Sequence, residues 1–198
     1  KKHLEDEKPA RTLELNDDEK LILKDAMLLT AKPILYICNV SEEQLSDAEN
    51  DENVKKVKEY VKNENSIAIP LCAKIEEELT SLEEADKKEM LEALGLKESG
   101  LDRVIRESYS VLGLMSFLTA GEPEVRAWTI KKGTKAPVAA GKIHSDIERG
   151  FIKAEIVSYD DLIKEGSMNA AREKGLIRSE GKEYIMQEGD IVLFKFNV

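Results

Sequence analysis

A chain of 198 residues with 41% hydrophobic content can bury one large core or two small ones. No apolar run approaches the roughly 18 residues of a membrane-spanning helix, and no apolar amino-terminal segment reads as a secretory leader, so the expected location is the cytoplasm with no membrane partner. The net charge of -10 is uneven: residues 1 to 115 hold 17 Lys and Arg against 27 Asp and Glu, whereas residues 116 to 198 hold 13 of each. That shift places a domain boundary near Gly113 to Ser116, and it argues against nonspecific binding of a phosphate backbone by the acidic part.

Taken in chain order, residues 1 to 11 are charged and carry Pro9, so they read as the frayed end of a preceding element; the chain opens on Lys1 rather than Met, as a fragment of a longer chain or a chain that has lost a leader would. Asn16 to Ala31 is predicted as a helix capped by Asn16 or Asp17, with Leu21, Ile22, Leu28 and Leu29 recurring on a face that should pack on a sheet. Ile34-Leu35-Tyr36-Ile37-Cys38 is apolar without alternation, as expected of a parallel strand covered on both faces, and Asn39 sits at its carboxyl end. Val54, Val57 and Val61 follow at helical spacing among solvated charges.

Ser66 to Leu71 repeats the strand design, and Cys72-Ala73-Lys74 is the turn into another helix, whose Glu76, Glu77 and Glu78 read as a solvated first turn beside the helix dipole. Ligands of open α/β sheets bind at the carboxyl ends of parallel strands, so Asn39-Val40-Ser41-Glu42 and Cys72-Ala73-Lys74 are expected as neighbours at a base or phosphate site. Met90, Leu91 and Leu94 then form an apolar stripe stopped by Gly95. A last helix, capped by Ser99, carries Leu101, Val104, Ile105 and Leu112 and ends at Gly113.

From Ser116 the period becomes strand-like. Val125 to Ile130 is β-prone, Lys131-Lys132-Gly133 is a turn, and Pro137 suits the first turn of a short helix toward Ile143. Phe151 to Tyr159 reads as a strand, and Asp160 to Lys174 as turn and short helix with Ser167 as a cap. Tyr184 to Met186 and Ile191 to Phe196 read as a closing hairpin around Gln187 to Asp190. Strands, a helix across them and a terminal hairpin describe a β-grasp, or ubiquitin-like, domain.

Cys38 and Cys72 read as reduced, packed thiols, and two Cys with two well-separated His form no metal-ligand pattern. His144 has no nucleophile at useful spacing and reads as a hydrogen-bonded structural residue, so no catalytic residue is assigned. Trp128 reads as core, although Arg126, Lys131, Lys132, Lys135 and Lys142 lie near it in sequence and form a candidate RNA or ribosome contact.

Asn-x-x-Glu at Asn39 to Glu42 and Cys-Ala-Lys at Cys72 to Lys74 resemble the Asn-Lys-x-Asp and Ser-Ala-Lys base-recognition motifs of P-loop GTPase-like domains, with departures that match the Obg-like ATPase (YchF) family. Phe117-Leu118-Thr119-Ala120-Gly121, Glu124 to Ile130, Gly133-Thr134-Lys135-Ala136-Pro137, Ala140-Gly141-Lys142-Ile143-His144, Gly150-Phe151-Ile152 and Gly189-Asp190 resemble the TGS domain that ends those proteins. The resemblance implies an α/β fold in two parts. Residues 1–115 would be the later part of a nucleotide-binding domain, with 1–12 ending a helical arm, and residues 116–198 the TGS domain.

The same resemblance implies ATP as the nucleotide and the ribosome or ribosomal RNA as partner. It assigns Asn39, Val40, Glu42, Cys72, Ala73 and Lys74 to the base. The phosphate-binding Gly-x-x-x-x-Gly-Lys-Ser/Thr does not occur in the sequence, so phosphate and Mg²⁺ would be held by a longer parent and this chain alone is expected to be inactive. Chemistry supports the departure: the Asp of Asn-Lys-x-Asp accepts from guanine N1–H and the 2-amino group, which adenine lacks, whereas the longer Glu42 can turn away. The alternative is a non-enzymatic RNA- or protein-binding module.

Overall fold

The computed structural model describes residues 1–64, 66–121 and 124–197, and the chain divides into two compact units, Lys1–Leu112 and Gly113–Val198. In the first, helix α1 (Lys2–Glu5) and a 3₁₀ turn (Ala10–Thr12) lead to α2 (Asp17–Asp25). Strand β1 (Leu35–Asn39), α3 (Glu42–Leu45), α4 (Glu52–Lys62), β2 (Ile67–Leu71), α5 (Ala73–Thr80), α6 (Glu84–Ala93) and α7 (Gly100–Val111) follow.

Strands β1 and β2 run parallel with Leu35 opposite Ile67 and Asn39 opposite Leu71. The Leu71 carbonyl accepts from Val40 N–H at 2.9 Å, so residue 71 turns its polar groups toward β1. Its neighbour Pro70 then has its missing N–H on the opposite side, where no described strand pairs with β2.

The long helix expected over Asn16 to Ala31 is shorter. Asn16 and Glu19 form a reciprocal capping box, but the helix stops at Asp25, Met27 adopts a left-handed φ of 47°, and Leu29–Ala31 is a separate 3₁₀ turn. Nor does its apolar face pack on the sheet, since Leu21 and Ile22 are 63% and 72% exposed. Strand β1 is likewise not covered on both faces, with Ile37 45% exposed. Burial concentrates instead on Ala68 and Ile69 of β2, on Val54 and Val61 of α4, and on Cys72, Ile75 and Leu79, against which Met90, Leu91 and Leu94 pack.

A buried carboxylate ties the start of this unit to its middle. Glu64 accepts from Tyr36 Oη at 2.9 Å, from Tyr60 Oη at 3.1 Å and from Arg11 Nε and Nη2 at 3.2 and 3.0 Å. Burial would raise its pKa, but the bonds from Tyr36, Arg11 and Tyr60 outweigh that and hold it below the ordinary glutamate value.

The second unit is a five-stranded sheet in the order β4-β3-β7-β5-β6, built from β3 (Leu114–Ala120), β4 (Val125–Lys131), β5 (Phe151–Ser158), β6 (Arg178–Glu180) and β7 (Asp190–Phe196). Helices α8 (Ala136–Gly141) and α9 (Ser145–Arg149) precede β5; α10 (Tyr159–Glu165) and α11 (Met168–Glu173) follow it. One core joins Met115, Phe117, Ile130, Ile156, Met186 and Phe194 to the alanines of α8, with Phe117 and Phe194 edge-to-face at 5.9 Å.

A second apolar group, with Val157 and Ile191 at its centre, packs with Leu162 of α10 and Met168 of α11. Gly150 admits no side chain, because a Cβ there would lie 2.0 Å from the Asn197 carbonyl oxygen. The closing hairpin is not formed. Tyr184–Met186 is no strand, β7 pairs with β5 antiparallel and with β3 parallel, and Ile185 makes only an isolated bridge to Lys135. Arg178–Glu180 takes the edge position beside β5, so the chain end is held by strands distant in sequence rather than by its own turn.

Candidate functional site

The two turns expected as neighbours meet at the carboxyl ends of β1 and β2. The bond between them comes from Asn39, whose Oδ1 accepts from Ala73 N–H at 3.1 Å. Cys72, at the N-cap of α5, offers no side-chain acceptor, so one of the helix's unpaired first-turn donors is satisfied across the sheet by a residue 34 positions earlier. A second link is the ion pair of Lys74 Nζ with Glu42 Oε2 at 3.2 Å; Glu78 Oε1 lies 3.8 Å from the same ammonium. The hydrogen bond to Glu42 raises the Lys74 pKa above the ordinary lysine value.

The surface between the turns is an open cleft of about 830 Å³ lined by Asn39, Val40, Glu42, Cys72, Lys74 and Leu94, among others. Of the six residues assigned to a base, five line this cleft and the sixth, Ala73, supplies the N–H that holds Asn39. Burial, the larger effect, and nearby Asp51 and Glu49 push the Cys38 thiol up against the opposing pull of Lys58. Cys38 and Cys72 are both free thiols, and among the described residues no group of three or more His, Cys, Asp and Glu could hold a metal ion.

Three supports of this site escaped the sequence reading. Ser41 and Gln44 form a capping box, with Ser41 N–H donating to Gln44 Oε1 at 3.0 Å and Gln44 N–H to Ser41 Oγ at 3.3 Å. The Gln44 amide then reaches Asp51 Oδ2 at 3.1 Å, and Asp51 Oδ1 caps α4 through Asn53 N–H and Val54 N–H. The spacing Ser-x-x-Gln is a legible signal for the first part of that chain of contacts.

Glu76 is the third support. Its carboxylate accepts from Gly100 N–H at 2.8 Å and Leu101 N–H at 2.9 Å, so it caps α7 from α5 and is not a solvated first-turn charge. Gly100 must lack a side chain, because a Cβ would lie 2.8 Å from both Glu76 Oε1 and Leu71 Cβ. Glu76, Glu77 and Glu78 are equivalent as a sequence, and only the fold distinguishes the first.

In the second unit the five candidate RNA-contact cations do not share one face. Alternation along β4 puts Arg126 on the side of Trp128 and buried Ile130, and Lys131 on the other. The Arg126 guanidinium lies 4.2 Å from the Trp128 ring centroid and 3.7 Å from Glu124, while Trp128 Nε1 donates to Thr119 Oγ1 at 2.9 Å. Trp128 packs on the core as expected. Lys135 pairs with Glu183 at 2.6 Å, whereas Lys132 and Lys142 are exposed. His144 caps α9, its Nδ1 accepting from Asp146 N–H at 3.2 Å.

Residues 114–197 match the family model YchF-GTPase_C, described as a protein of unknown function (DUF933). Over all 198 residues the chain is 54% identical to the ribosome-binding ATPase YchF of Bacillus subtilis, covering 54% of that protein. It is 43% identical over 197 residues to Obg-like ATPase 1 of Rattus norvegicus, covering 49% of it. The structure of the Schizosaccharomyces pombe YchF GTPase superposes with a TM-score of 0.82 at 38% identity, over 96% of this chain and 50% of that one. The chain therefore spans about half the length of the relatives it matches. Among the described residues no helix is long and apolar enough to cross a membrane.

Proposed function

This chain belongs to the YchF/Obg-like ATPase family, and from that premise we propose that it is the later part of a cytoplasmic, ribosome-associated P-loop ATPase that prefers ATP to GTP. In this reading residues 13–115 complete the nucleotide-binding domain, residues 1–12 end a helical arm, and residues 116–198 form a TGS domain of β-grasp type that contacts RNA or protein. The mixed sheet of the second unit, with α8 and α9 packed over one face, supports the last assignment.

The observation that carries the nucleotide assignment is the bond from Ala73 N–H to Asn39 Oδ1. A backbone N–H can be met only by the oxygen of an amide, so this contact fixes which way the Asn39 amide faces. With Oδ1 and Nδ2 ordered, an Asn amide can accept from adenine N6 and donate to N7, the bidentate pairing suited to adenine. Guanine presents O6 in place of N6, and two acceptors would then face each other. The Ala73 N–H that could have served O6 is already engaged. Val40, Glu42, Cys72 and Lys74 would line the rest of the base pocket.

Phosphate and Mg²⁺ would be held by the parent protein, since the sequence has no phosphate-binding Gly-rich motif. The purified 198-residue chain should release no phosphate from ATP and bind it weakly, because base contacts without a phosphate cradle lack the charge-assisted hydrogen bonds that dominate nucleotide affinity. In the family-length protein, Glu42→Asp combined with Val40→Lys should raise GTP affinity relative to ATP. Competition binding that shows the same ratio before and after this double change would remove the base-recognition role.

A further inference from the structure

The ion pair between Lys74 and Glu42 joins two residues 32 positions apart across the mouth of the cleft, and both side chains are more than half exposed. So exposed a pair contributes little to folding. Its chemical consequence lies elsewhere: a carboxylate at the purine's Watson–Crick edge accepts from guanine N1–H and N2–H, and here that carboxylate is turned to the ammonium of Lys74. Glu42 is fixed at its root as well, since it opens α3 directly after the N-cap Ser41 and lies within the Ser41–Gln44 capping box, so its side chain has a defined origin from which to reach Lys74.

Resting on the base-site reading above, we propose that Lys74 is a specificity-determining residue: it draws the Glu42 carboxylate away from the base edge and so withholds the acceptor that guanine requires. Two turns then reject guanine by two independent means. Asn39, oriented by Ala73 N–H, presents an acceptor to O6; Glu42, held by Lys74, offers none to N1–H and N2–H. A turn with Glu42 but without Lys74 keeps the first barrier and loses the second, because the freed carboxylate can swing back over the base. Glu78 also faces the Lys74 ammonium, so the effect must be separated from any loss of that contact.

The test is ATP against GTP competition binding on the family-length protein carrying Lys74→Met, which keeps the apolar stem and removes the charge. The ATP-to-GTP affinity ratio should fall by about two- to fivefold, the range open to the loss of an exposed ion pair. In a Glu42→Gln background the same Lys74→Met change should leave the ratio unaltered, whereas Glu78→Gln should not suppress its effect. An unchanged ratio in Lys74→Met, or an equal shift with and without Glu42→Gln, overturns the proposal. Asn39→Ala separates the role of Lys74 from the base site itself. If it weakens binding of ATP while Lys74→Met leaves the ratio constant, only the role of Lys74 fails; if it leaves both nucleotides unaffected, the base site itself is wrong.

Discussion

The two units solve the problem of burial differently, although both are built on sheets. Among the described residues of the second, twelve buried side chains form one continuous core against the sheet, whereas the corresponding buried group around α5 of the first has three, with Leu45, Met90, Leu91 and Leu94 packed only partly over it. The first unit also leaves Leu21, Ile22, Met27, Leu29 and Ile37 substantially exposed. A two-stranded parallel sheet is a weak scaffold, because parallel strands ordinarily lie with both faces covered. Pro70 closes the outer side of β2, which leaves β1 as the side on which the sheet could gain a strand. The site in the first unit therefore depends on local ties, Asn39 to Ala73 and Glu76 to Gly100, more than on a deep core beneath it.

The largest expected break in that comparison comes from core truncation. Phe117 is fully buried between neighbours that include Phe194, so Phe117→Ala should cost the second unit about 3–5 kcal/mol. Leu21→Ala and Ile22→Ala, on an exposed face of the first unit, should stay within about 0.5 kcal/mol. The only tryptophan, Trp128, belongs to the second unit, so urea unfolding followed by its fluorescence isolates that half. Equal losses for the three variants in unfolding followed by circular dichroism would erase the contrast drawn between the units.

Glu64 sharpens the comparison through pH. Its folded pKa lies below the ordinary 4.5, so its contribution is complete above that value and is lost as the pH falls from about 4.5 through the depressed folded value. Glu64→Ala should destabilise the first unit by about 2 kcal/mol at neutral pH, since Tyr36, Tyr60 and Arg11 lose their shared acceptor. The difference in unfolding free energy between wild type and Glu64→Gln should shrink through the acid range. A difference independent of pH would show that the carboxylate is not the anchor.

A smaller effect is expected at the support of the site. Gly100→Ala places a methyl against Glu76 Oε1 and Leu71 Cβ and should cost about 1 kcal/mol or slightly more. Because Glu76 reaches from α5 to cap α7, the displaced carboxylate should also release the start of α7: the amides of Gly100 and Leu101 should lose protection first in hydrogen exchange. Protection unchanged at both amides would mean that Glu76 does not tie the two helices.

Much of this was legible in the sequence for definite reasons. The strands ending at Asn39 and Leu71 were visible because a short apolar run followed by a polar turn has few other readings, and the Asn16, Ser99 and Ser167 caps because side-chain capping is local. The end of the first long helix was missed because nothing marks Met27, a residue with no preference for its left-handed backbone, as a stop. The closing hairpin was misread because Gln-Glu-Gly-Asp is a competent turn, while the partner that β7 takes, β5, is decided by the core and not by the turn. Glu64 and Glu76 were invisible as anchors because Arg11 lies 53 positions from the first and Gly100 lies 24 from the second.

The smallest effect on the fold, and the one that asks whether the second unit meets a partner, concerns its cations. Arg126 is stacked on Trp128 beside Glu124 and Lys135 is paired with Glu183, so these two are already engaged within the unit. Lys132, in the turn after β4, and Lys142, at the end of α8, present exposed charge. Changing both to Glu should alter stability by less than about 0.5 kcal/mol, as surface substitutions normally do. If the unit contacts RNA through them, each lost phosphate contact should weaken association of the family-length protein with ribosomes and flatten its salt dependence by about one unit of slope. Co-sedimentation at low and moderate salt reads both quantities. Unchanged association at either salt would move the contact away from this turn, because a phosphate contact cannot survive reversal of the charge that makes it.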